Sequence, residues 1–303
     1  MNLLTRSDFD GLACAAILKD VGVIDSWKFV HPKDIQDGLV PVTSNDVLAN
    51  VPYVAGCGFW FDHHSSEVER VSTDSLQFEG AVEFRDSAAH VIYDFYKGRY
   101  NLSKFDEMIE AVDKVDAAKL TPDEILHPKD WIMLGFIMDP RTGLGRFRNF
   151  QISNYQLMEK LIELCRVKGI HDIMQDADVE ERVGVYQQQS VLFIDMLKTH
   201  SYTKGSVIVT DLRNVDTIYA GNRFTIYSLF PEQNISIWIV DGRDKKNCPI
   251  AVGYSIVNQS ASVDVGSLLL SYGGGGHKQV GTCQVDYTDC DRVVGELVEK
   301  MQH

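Results

Sequence analysis

Along the first ninety residues, apolar positions come in short runs separated by polar loops, and few runs are long enough to be helices. Residues 1–4 read as a short apolar strand, and 12–21 then carry a helical apolar period. Residues 27–31 read as a second strand and 46–54 as a third, with Pro52 closing it or forcing it to a sheet edge. Gly58, Phe59, Trp60 and Phe61 make a fourth, buried strand that runs out through Asp62, His63 and His64 into a polar loop at Ser65, Ser66 and Glu67. After Asp86 the period becomes helical: Ala88, Ala89, Val91, Ile92, Phe95 and Tyr96 share a face, capped by Asp86 or Ser87. Residues 105–119 predict another helix, 131–138 a buried segment, and 151–200 helix almost throughout with a break at Lys168 and Gly169. Strands alternating with helices predict an α/β fold with a largely parallel sheet. Beyond Lys204 the texture changes to β-branched strands at 207–211, 235–240 and 250–257, a helix at 265–272, a strand at 281–285 and a terminal helix at 291–301.

A chain of 303 residues, 45% hydrophobic, has room for two domains. The 29 Lys and Arg against 43 Asp and Glu give a net charge of -14, a surface that repels long nucleic acid. An anionic ligand must then be held by a local basic pocket, metal ions or backbone amides. Six cysteines lie scattered without a Cys-x-x-Cys spacing, as reduced structural residues do. No basic region followed by an apolar stretch and cleavage site opens the chain, and no run of about 18 apolar residues occurs, so a cytoplasmic location is expected.

Candidate chemistry clusters at the strand ends. Asp8 and Asp10 fall in a strand-to-helix loop, Asp-Phe-Asp-Gly, where Gly11 permits close backbone approach and the helix start offers free amides. Asp62, His63 and His64 leave a strand at the sheet edge where open α/β folds bind ligands. Carboxylates with imidazole suit Mn or Mg better than structural zinc. Asp113 and Asp116, three apart on one helix, are near each other beside an apolar stripe. Arg141, Arg146 and Arg148 punctuate a glycine-containing loop and either clamp phosphates or cap acidic helices. Gly273 to Gly276, followed by His277 and Lys278, are placed between a helix and a strand, where consecutive backbone amides can face an anion.

Taken together, Asp8-Phe9-Asp10-Gly11, Asp62-His63-His64 and Gly274-Gly275-Gly276-His277 resemble the DHH phosphoesterase superfamily, in the branch with a C-terminal DHH-associated domain. The resemblance spans the whole chain and includes exopolyphosphatase-like and nanoRNase-like proteins. It implies an N-terminal parallel-sheet domain with helical extension and connector helix at residues 1–198, a smaller mixed-sheet α/β domain at 203–303, and an active-site cleft between them. It further implies a metal-activated water acting on a small phosphorylated substrate: a short single-stranded oligonucleotide, a nucleotide bisphosphate or polyphosphate. Family members hold two Mn2+ (or Mg2+) ions, and many are homodimers. Carried over by position, Asp8, Asp10, Asn50, His63 and one of Asp113 and Asp116 would be the metal ligands. Asp62, His63 and His64 would form the catalytic motif, and Gly274, Gly275, Gly276 and His277 would hold the substrate. Two departures stand out: Leu4 or Arg6 occupies the place of an expected His or Asp, and Asn50 that of an expected Asp. They predict one retained site, built on Asp10, His63 and Asp113 or Asp116, with Arg6, and also Arg141, supplying fixed positive charge to a phosphate. Lost ligands also leave a second reading, a degenerate member that binds a nucleotide or phosphate without hydrolysis.

Overall fold

The computed structural model describes residues 1–74 and 76–302, with side chains for all of these but 72–74. In chain order the elements are β1 (Asn2–Thr5), α1 (Phe9–Asp20), β2 (Ser26–Phe29), α2 (Pro32–Gln36), β3 (Asp46–Ala49), β4 (Phe59–Asp62), α3 (Ser65–Asp74), β5 (Gly80–Val82) and α4 (Ala88–Tyr96). There follow α5 (Asp106–Asp116), α6 (Pro122–Leu126), α7 (Asp130–Met138), α8 (Asn154–Val167), α9 (Ile170–Met174) and α10 (Ala177–His200). The last part holds β6 (Ser201–Lys204), β7 (Val207–Asp211), α11 (Thr225–Leu229), β8 (Ile235–Ile239), β9 (Asn247–Tyr254), α12 (Val265–Leu270), β10 (Gly275–His277), β11 (Val280–Asp286) and α13 (Cys290–Met301). The chain divides into two units, Met1–Leu120 with Pro128–Val185, and Thr121–His127 with Tyr186–His303.

In the first unit, five strands in the order β2-β1-β3-β4-β5 pair in parallel throughout. Strands covered on both faces need apolar side chains at successive positions, and Leu3, Leu4, Val47, Leu48, Trp60 and Phe61 supply them, each buried. Helix α1 is buried continuously from Phe9 to Leu18, as expected of a helix apolar all round. The consequence for function is topological. All parallel strands end on one edge, so the residues after β1, β3, β4 and β5 emerge side by side: Arg6, Asn50, His63 and Glu83.

The second unit is a six-stranded mixed sheet, β10-β11-β9-β8-β7-β6, in which β7 and β8 run parallel and every other neighbouring pair antiparallel. Val293, Leu297 and Met301 of α13 share its core with Val209, Ile237, Ile250 and Val252. Among the described residues no helix is long and apolar enough to cross a membrane.

Several elements differ from the sequence reading. Ser65, Ser66 and Glu67 are the first turn of α3 and not a loop, because serine and an acidic residue satisfy the free amides and dipole of a helix start as well as they suit a turn. The third strand stops at Ala49 because Asn50 takes a left-handed backbone, φ 56°. The second half of the glycine run, Gly275 and Gly276, belongs to a strand, β10.

Candidate metal centre

Asp10 is carried into the protein by the first turn of α1, where Asp8 caps the helix by accepting the Gly11 amide at 2.9 Å. Gly11 is required there: a Cβ would lie 2.0 Å from the Arg6 carbonyl oxygen. The Asp10 carboxylate is 2% exposed as a residue and accepts two amides from the start of α4, Ala88 at 3.0 Å and Ala89 at 2.8 Å. Burial, reinforced by the negative charge of Asp116, nonetheless pushes its pKa up to about 7.

His63 leaves the end of β4. Its Nδ1 lies 3.2 Å from the Arg85 carbonyl oxygen, which can only accept, so Nδ1 carries a proton and, in the neutral ring, Nε2 is the lone-pair nitrogen. That Nε2 is buried without a hydrogen-bond partner, 3.3 Å from Asp116 Oδ2 and 3.9 Å from Asp10 Oδ2. Asp116 ends α5, and its pKa is raised by burial and by the charge of Asp8. Donor atoms of Asp10, His63 and Asp116 all lie within 4.8 Å of one another. A nitrogen facing two carboxylates calls for a proton or a cation among them, and two hard oxygen donors with one imidazole fit Mn2+ or Mg2+.

The structure places the remaining sequence candidates as follows. Asp62 is buried, and its Oδ1 accepts the His63 amide at 2.7 Å, the His64 amide at 2.9 Å and His64 Nδ1 at 2.7 Å. It holds the turn and orients His64, whose pKa it raises by that hydrogen bond against the opposing effect of burial. Asp113 is one turn before Asp116 and outside the cluster, with one oxygen taken by Ser87 Oγ and the other by His90 Nδ1, both at 2.6 Å. Asp8 accepts from Asn50 Nδ2 at 3.4 Å and pairs with Arg6 Nε at 3.0 Å; the Asn50 Oδ1 is buried without a partner. Arg141, bonded through Nε to Asp139 at 2.8 Å, lines a small pocket together with Asp8, Asp10, Asp116, Phe9 and Gly135. Arg146 turns back on the Gly143 carbonyl.

Gly274, Gly275, Gly276 and His277 belong to the second unit. A Cβ at Gly274 would meet the Thr282 carbonyl oxygen at 2.2 Å, one at Gly276 that of Val280 at 2.2 Å, and one at Gly266 that of Gly276 at 2.6 Å. The glycines therefore let β10 lie flush between β11 and α12, and His277 is exposed. Sequence reasoning missed Ser87, His90 and the Arg85 carbonyl. The lone His90 among apolar residues of α4 was the available signal for the first two, whereas a main-chain acceptor has none.

No family model matches the chain, and no curated protein matches it. Among solved structures it is similar to the pGpG-specific phosphodiesterase PggH from Vibrio cholerae: 43% identity, covering 99% of this chain and 98% of that one, with a TM-score of 0.90. The chain belongs to the DHH phosphoesterase superfamily. This membership makes it a hydrolase of the phosphoesterase class. The DHH fold also extends to an exopolyphosphatase-related protein from Bacteroides fragilis, at 11% identity and TM-score 0.55 over 99% of this chain and 92% of that one. RecJ from Thermus thermophilus, solved in complex with Mn2+, shares the fold at 11% identity and TM-score 0.55, over 99% of this chain and 52% of RecJ.

Proposed function

We propose that the protein hydrolyses the phosphodiester of a short linear dinucleotide of the pGpG type, using a divalent cation held by Asp10, His63 and Asp116. One observation carries the metal reading: Nε2 of His63, buried without a hydrogen bond, faces two carboxylates while the Arg85 carbonyl engages Nδ1 and turns Nε2 toward them. The 43% identity to a pGpG-specific phosphodiesterase over nearly the full length of both chains supports the substrate class.

A cation bound there supplies Lewis acidity, lowering the pKa of water and neutralising phosphoryl charge. The chain's own groups do the rest. The Ala88 and Ala89 amides fix the Asp10 oxygens in place, and Arg85 fixes the His63 ring. Asp62 holds Nδ1 of His64 and favours the imidazolium, which leaves Nε2 to give a proton or hydrogen bond to a phosphoryl or leaving oxygen.

The test is hydrolysis of pGpG to GMP by the purified protein, with Mn2+ and with EDTA, followed by chromatography. Turnover with Mn2+, loss with EDTA and loss in His63→Ala are expected. Undiminished turnover in EDTA would refute the metal reading, and turnover of polyphosphate but not pGpG the substrate reading.

A further inference from the structure

Asp8 lines the same pocket as Asp10 and Asp116, yet its carboxylate is already engaged. Oδ1 accepts the Gly11 amide at 2.9 Å and the Asn50 side-chain amide at 3.4 Å, while Oδ2 pairs with Arg6 Nε at 3.0 Å. The positive charge that a second cation would bring to Asp8 is thus present as a guanidinium, tethered at the end of β1. Asn50 adds a neutral amide where a carboxylate would have added charge, and with Arg6 it makes the Asp8 side of the pocket less negative than the Asp10, His63 and Asp116 side.

We infer that the centre takes one divalent cation and not two, and that Arg6 fills the second cationic position. This rests on the phosphoesterase reading above. Arg6 approaches Asp8 most closely through Nε, at 3.0 Å. A guanidinium presents five N–H donors in a planar fork, so others remain to bind non-bridging oxygens of the phosphoester. Because the fork is covalently held, this charge stays when free metal is scarce.

The experiment is Mn2+ titration by calorimetry, with electron paramagnetic resonance of the loaded protein, for the wild type, Arg6→Lys, and the double variant Arg6→Ala with Asn50→Asp. The wild type is expected to bind one ion per chain and to show the spectrum of an isolated Mn2+. The double variant removes a positive charge and adds a negative one beside Asp8, and is expected to bind a second ion with a spin-coupled spectrum. Arg6→Lys keeps the charge but loses the fork; its ion count should stay at one while KM for the dinucleotide rises. Two tightly bound ions in the wild type overturn the inference and leave the phosphoesterase reading standing. A folded double variant that still takes one ion overturns the role given to Arg6. No bound ion in the wild type overturns both readings.

Discussion

Around the centre, His63 Nε2 and Asn50 Oδ1 are buried without a hydrogen-bond partner, and the partners of the neighbouring groups say what each residue is for. Asp62 spends a single oxygen on two amides and on His64 Nδ1, so it acts by orientation. Replacing it with Asn puts a neutral amide against three N–H donors; Asp62→Asn should lower kcat/KM about 10- to 100-fold with the Mn2+ count unchanged. Steady-state kinetics beside calorimetry checks this, and loss of the ion itself would mean that Asp62 is a ligand. His90 offers a pH test. Its hydrogen bond to Asp113 raises its pKa above 6.5 against the opposing effect of burial, so the charged ring is favoured in the folded protein. The stabilisation is therefore complete below pH 6.5 and is lost as pH rises through the raised value. Urea unfolding of wild type and His90→Gln should differ most below pH 6.5 and converge under alkaline conditions; a gap that widens with pH would contradict a charged pair. The sequence made Asp10 and His63 legible because one opens the helix that follows the first strand and the other follows directly on the fourth. It could not separate Asp113 from Asp116, since a spacing of three puts both on one face, and the choice is made by Ser87 and His90 from another helix.

At the scale of elements, side-chain pattern revealed what side chains build. The β-branched run at Val207–Asp211 is a strand, and the apolar period after Ser87 is α4, with Ser87 capping it. Pattern failed where the backbone itself is the packing surface. Strand β10 is Gly275, Gly276 and His277, which has no apolar alternation to read, and its identity comes from pairing with β11 and from contact with Gly266 of α12. The same residues that suggested an anion loop are thus also required by close approach. Gly276→Ala places a methyl 2.2 Å from the Val280 carbonyl oxygen, backbone that cannot turn aside. Overpacking of this kind costs about 1–3 kcal/mol. A denaturant midpoint lowered with an unchanged slope is the expected reading for Gly276→Ala; stability equal to wild type would show that β10 is free to shift.

For the molecule as a whole, the charge of -14 sets which phosphates can approach. Duplex DNA is bound through many phosphate contacts to Lys and Arg, with affinity rising as counterions are released. Here Arg6, Arg141, Arg85 and Lys119 are each paired with a carboxylate, Asp8, Asp139, Asp94 and Asp86 in turn, so they make no continuous basic track, and the donors Arg6 has left serve a single phosphate. A short substrate needs only one phosphate to reach the centre, and at about 0.15 M salt the Debye length of roughly 8 Å screens the rest of the acidic surface from it. A duplex lays many phosphates along that surface at once, so repulsion accumulates with length while the attractive site stays single. Fluorescence anisotropy with a labelled duplex at physiological salt should therefore give a Kd weaker than about 10⁻⁴ M, the weak end of non-specific DNA binding. Micromolar binding with a steep salt dependence would require a continuous basic track, and would move the substrate from short fragments to polymer.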